Sequence, residues 1–215
     1  MDVQDALKQG LAYAAIAAST NDSAQKTAAM AQAIACLKPI SSPEHRVPRA
    51  AFGLGILAYH MAIYVGHSST MEQERRLETA SLFLHQAAKY FETAASMPDY
   101  EKDLTPARAK DSLALLYENG VLEDGKKDLE KALILRWEAA EAGFAEAQVN
   151  LAIMFYRGEG TPRSLPDAHE WIGKAWSNKD QLPERFQSEV EDIFRTIKTE
   201  MASAWPSHPF PRYAQ

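Results

Sequence analysis

Residues 109–143 and 147–179 repeat one pattern of residue types, which confines the chain to architectures in which like units stack. In the first copy Ala109, Leu113, Ala114, Tyr117 and Gly120 are followed by Asp128, Lys131, Ala132, Leu135, Ala139, Ala140 and Gly143. In the second, Ala147, Leu151, Ala152, Phe155 and Gly158 are followed by Ser164, Asp167, Ala168, Trp171 and Ala175. The earlier landmarks are offset by 38 residues and the later ones by 36, so the copies differ in length in one loop.

The spacing has a physical reason. Ala114 and Ala152 are small enough for two helices to press together, and Tyr117 and Phe155 fill the space one turn later. Glycine ends the first helix, a capping residue starts the second, and Ala132 and Ala168 face back across the hairpin. One such hairpin cannot bury its own apolar face. Copies must therefore lean on one another.

The rest of the chain reads as helix too. The 11 prolines fall between periodic stretches or in first turns, and no stretch alternates like a strand. Apolar period and caps predict helices over 2–18, 22–37, 46–65, 71–97, 106–118, 128–142, 145–157, 165–177 and 183–204. Asp22, Asp128 and Ser164 are the expected N-caps, and Gly120, Gly143 and Gly158 the expected stops. Alanine, at 36 positions, suits helices that approach closely.

This pattern resembles the Sel1-like repeat, a relative of the tetratricopeptide repeat. The resemblance is carried by Leu113-Ala114 with Tyr117 and Gly120, Lys131-Ala132, and Ala139-Ala140 with Gly143. In the second copy Leu151, Ala152, Phe155, Gly158, Gly160, Ala168 and Trp171 carry it. It implies an all-α, right-handed solenoid of stacked antiparallel helix hairpins. Upstream, Phe52 and Tyr59 have the spacing of a tetratricopeptide first helix. Ala87, Phe91 and Ala94 have that of its second, closed by Pro98.

The expected organisation is one solenoid domain over 1–215. Residues 1–45 form an N-terminal helix pair, 46–98 a diverged pair, 106–143 and 145–179 the two clear repeats, 183–204 a capping helix and 205–215 a proline-rich tail. In the capping helix Phe186, Val190, Ile193, Phe194, Ile197 and Met201 form one apolar stripe, with Glu184, Glu191, Arg195, Lys198 and Glu200 on polar faces.

Composition narrows the partners. The formal charge is -6 with both signs well mixed, so no basic stripe marks a nucleic-acid footprint. No apolar run approaches the twenty residues that span a bilayer, and Asp2 and Asp5 stand where a secretory leader carries positive charge. The single cysteine, Cys36, rules out an internal disulfide. A cytoplasmic protein is the expectation.

Reaction chemistry finds little support. His45, His60, His67, His85, His169 and His208 lack close metal-ligand spacing, although His60 and His67 share a helix face on which Cys36 or His85 could join them. Cys36 sits beside Ile34 and Leu37 as a buried thiol would, with no base identified for a nucleophile. Glu138 and Glu141 read as a solvated helix face before an acid pair. Gly53-Leu54-Gly55 lies within a helix and Gly158-Glu159-Gly160 between helices, so neither suggests a phosphate loop; the first pair would permit close helix crossing. Pro206-Ser207-His208-Pro209, with Trp205, Phe210 and Tyr213 nearby, matches a polyproline element or simply a tail packed on the last helix.

By the resemblance, first helices line the concave side of the stack. That projects Asp111, Leu115, Glu118 and Asn119 from one copy, and Val149, Ile153, Tyr156 and Arg157 from the other, as partner-binding positions. Leu115 and Ile153 could equally pack between repeats. The expected function is a non-catalytic adaptor that binds a protein or peptide, with no cofactor or metal. Sel1-like proteins also include immunity proteins that neutralise secreted toxins, which stands as the alternative. An enzyme using Cys36 or a histidine is the rival of another class, and monomer or homodimer stays open.

Overall fold

The computed structural model describes residues 2–68, 71–98, 103–122 and 125–204. Among those residues there are nine α-helices and no strand. They are α1 (Val3–Ser19), α2 (Ser23–Leu37), α3 (Pro48–Gly66), α4 (Gln73–Ser96), α5 (Thr105–Glu118), α6 (Leu129–Glu141), α7 (Ala145–Arg157), α8 (Leu165–Ser177) and α9 (Glu184–Ala204). The tail with its Pro-x-x-Pro element lies outside the described residues.

Every helix falls within two residues of its expected bounds. The largest differences have local causes. Arg46 takes a left-handed backbone at φ 54, which ends a short 3₁₀ turn, and Pro48 then sets the first turn of α3. Asp22, Asp128 and Ser164 each accept a backbone N–H in the first turn of their helices, from Gln25, Lys131 and Asp167.

Consecutive helices pack as hairpins: α1 on α2, α3 on α4, α5 on α6 and α7 on α8. Each pair leans on the next, with α4 against α5, α6 against α7 and α8 against α9. The result is an α-solenoid. The two repeat copies make the same contacts. Ala114, Ala132, Ala152 and Ala168 are all 0% exposed. The capping residues Asp128 and Ser164 donate their own N–H groups to the carbonyls of Tyr117 (3.1 Å) and Phe155 (2.9 Å). The first-helix aromatic of each copy thus anchors the start of the second helix.

Close approach explains the glycine pair in α3. Gly53 faces Leu11 and Leu37, and Gly55 faces the ring of Phe91 in α4. The Gly158–Gly160 loop connects α7 to α8 and touches the preceding repeat. Gly160, at φ +69, brings its Cα so near the Leu129 carbonyl at the head of α6 that a β-carbon would stand 2.3 Å from it.

Helix α9, the last helix among the described residues, packs on α8. Val190, Ile197 and Met201 are buried, with Phe186, Ile193 and Phe194 packed beside them. The opposite edge is exposed and polar, where Arg195 bonds Glu191 (3.1 Å) and Asp192 (3.4 Å).

Candidate functional site

A side-chain hydrogen bond bridges α5 and α7, and the start of α9 borders the same space. The amide of Asn150 in α7 donates to both carboxylate oxygens of Asp111 in α5, at 3.2 and 3.4 Å. Between these helices and the Leu182 turn is a cleft of about 330 Å³. Its apolar lining is Val149, Ile153, Leu182, Phe186 and Val190. Its polar lining is Asp111, Asn150, Glu146 and Glu189.

The cleft's inner wall depends on one cation. Arg136 of α6, only 5% exposed, donates from Nη2 to Glu118 Oε2 at 2.7 Å and turns Nε toward Asp111 at 3.5 Å. The guanidinium lies between two α5 carboxylates seven residues apart, on the same face of that helix and about two turns from each other. Burial nevertheless pushes the Asp111 carboxyl above its ordinary value, against the opposing pull of Arg136 and the Asn150 hydrogen bond.

A second cluster ties α9 to the α7–α8 loop. Tyr156 donates its hydroxyl to Glu200, and Arg163 reaches the other oxygen of that carboxylate at 2.5 Å. Arg163 also donates from Nε to the Tyr156 carbonyl at 2.8 Å and lies 5.0 Å from the ring centroid. Both bonds to Glu200 hold its carboxyl below its ordinary value, and the bond from Tyr156 pushes that hydroxyl up against the opposing pull of Arg163. His169 of α8 stacks on Phe194 of α9 at 5.2 Å, and burial lowers its pKa, with Lys198 adding to the effect.

The eight projected positions therefore have different surroundings. Asp111, Val149 and Ile153 line the cleft. Glu118 is held by Arg136, Tyr156 by Glu200, and Arg157 faces Glu159 at 3.8 Å. Leu115 is 38% exposed, and exposed Asn119 returns its side-chain amide to the Leu115 carbonyl at 2.8 Å. Phe186, Glu189 and Val190 join the cleft from α9, which the sequence reading treated only as a cap. Arg136 escaped notice as well, although a lone arginine inside Leu133-Ile134-Leu135-Arg136-Trp137 was a visible signal for a buried cation.

Of the residues weighed for chemistry, His60 and His67 border one recess. Cys36 is buried, and Glu138 pairs with Lys110 at 2.7 Å. Among the described residues no three His, Cys, Asp or Glu side chains come together as metal ligands would. No helix there is long and apolar enough to cross a membrane.

The family model of the Sel1 repeat matches residues 84–99, 107–144 and 145–178, less than half of the chain. Solved structures are similar at low identity. A Sel1 repeat protein from Oxalobacter formigenes matches 74% of this chain and 97% of its own at 22% identity, with a TM-score of 0.43. A protective antigen of uropathogenic Escherichia coli with an SLR fold matches all of this chain at 14% identity and a TM-score of 0.36, and this chain spans 58% of that one. No curated protein matches.

Proposed function

The chain is a Sel1-like repeat protein, and from that premise we propose that it works without catalysis, by holding a segment of another protein in the cleft between α5, α7 and α9. Sel1 repeats generally mediate protein–protein interaction, and the cleft is where this chain offers a shaped surface for it. Val149, Ile153, Phe186 and Val190 would take an apolar side chain, and Glu189 at the rim would favour a lysine or arginine beside it. The observation that carries the reading is this pairing of an apolar floor with an acidic rim. Asp111 contributes less charge, since Arg136 already faces it.

Peptides selected on the wild-type chain, then re-measured on an Ile153→Asp/Glu189→Lys variant, test the reading. Selected sequences should place a basic residue next to a bulky apolar one and lose at least about tenfold in affinity on the variant, a loss of ~1.4 kcal/mol. Equal affinity for both proteins would move the binding surface elsewhere.

A further inference from the structure

A different recess opens between α2 and the end of α3, with a volume of about 490 Å³. Lys26, His60 and His67 bring basic groups to it, and Met30, Ile63 and Tyr64 supply apolar surface. Among the described residues no carboxylate lines it, in a chain whose net charge is -6. Ile63 and Tyr64 are each 42% exposed, so large apolar groups face water beside the cations.

The recess is braced. The Tyr64 hydroxyl and Ser23 Oγ are 2.7 Å apart, which fixes the ring across α2 and α3. Lys26 Nζ lies 5.7 Å from that ring's centroid. His67 donates from Nδ1 to the Ile63 carbonyl at 2.8 Å, leaving Nε2 as the ring's remaining polar atom.

We propose that this recess binds a carboxylate carried by a peptide segment of a partner protein, with an apolar neighbour on Met30, Ile63 and the Tyr64 ring. One permanent cation matches a singly charged carboxylate better than a doubly charged phosphate. The volume exceeds what a bare carboxylate fills and lies in the ordinary range of ligand recesses. The site is separate from the α5/α7/α9 cleft and does not depend on it.

The test is fluorescence anisotropy of the full chain with a labelled peptide Gly-Ser-Leu-Glu-Phe-Gly, amidated at its C-terminus so that glutamate is its one carboxylate. Binding should saturate, and should weaken at least about fivefold when glutamine replaces the glutamate or when the protein carries Lys26→Glu. The milder Lys26→Gln and His67→Gln variants should each show a smaller loss, with helical circular dichroism unchanged. Ile153→Asp should leave this binding as it was, which separates the outcome from that of the cleft. Equal affinity for the glutamate and glutamine peptides would overturn the proposal. So would indifference to Lys26→Glu, or displacement by acetate or inorganic phosphate at concentrations as low as the peptide's.

Discussion

The ring of Phe91 occupies the space that a side chain on Gly55 would need: a β-carbon there would stand 2.5 Å from Cε1 of the ring. Phe91 is 2% exposed and cannot swing aside. Gly55→Ala should therefore destabilise the chain by about 1–3 kcal/mol, as overpacking of a filled core does. Gly66, at the end of the same helix, has nothing within 4 Å of a built β-carbon. There alanine should be neutral or gain up to about 1 kcal/mol. Urea unfolding of the two variants checks the contrast, and equal effects would contradict it.

Removing the cation between Asp111 and Glu118 should cost far more than removing an exposed ion pair. Arg136→Met leaves two carboxylates against an apolar side chain. The expected loss is about 3 kcal/mol, at the low end for breaking a buried pair because both acids still reach water. Adding Asp111→Asn and Glu118→Gln should restore most of it. Failure of that rescue in chemical denaturation would show that Arg136 acts through packing alone.

Acid should loosen α9. Burial lowers the pKa of His169 from 6.5, so the unfolded chain takes up the proton first and stability falls as pH drops below about 6.5. Glu200 is held below 4.5 by Tyr156 and Arg163, so its contribution is present above that value and is lost as pH falls through the folded one. The melting-temperature gap between wild type and Glu200→Gln should be constant near neutrality and shrink below about pH 4.5. A gap independent of pH would remove Glu200 from the anchor.

Capping at α6 should be worth what a capping carboxylate usually is. Asp128 accepts from the Lys131 N–H at 2.9 Å, so Asp128→Ala should cost about 1 kcal/mol and Asp128→Asn only a few tenths. Thermal or urea denaturation checks both.

These relationships differ in how far apart their partners lie in the chain, and that governs what could be read from the residues alone. Helix starts were legible because their signals are local: Asp22, Asp128 and Ser164 bond a residue three positions on. The repeat was legible because Ala114 and Ala152 recur with their aromatic neighbours. Tyr156 was projected as a partner-binding position because nothing near it in sequence announces Glu200, 44 residues later. Val149 and Ile153, projected as partner-binding positions, line one side of the cleft, and Phe186 and Glu189 line the other. A stripe pattern tells which side of α9 is buried. It does not tell what the borders of that side will touch.

The charged outer border of α9 has a consequence for lengthening this molecule. Arg195, Glu191 and Asp192 satisfy one another there and present no greasy seat for another hairpin. A spare copy of residues 145–178 grafted behind α9 would meet hydrated ions, whereas the same insert spliced between α8 and α9 would find a matching surface on both flanks. Designers wanting a longer ladder should add rungs beneath the lid.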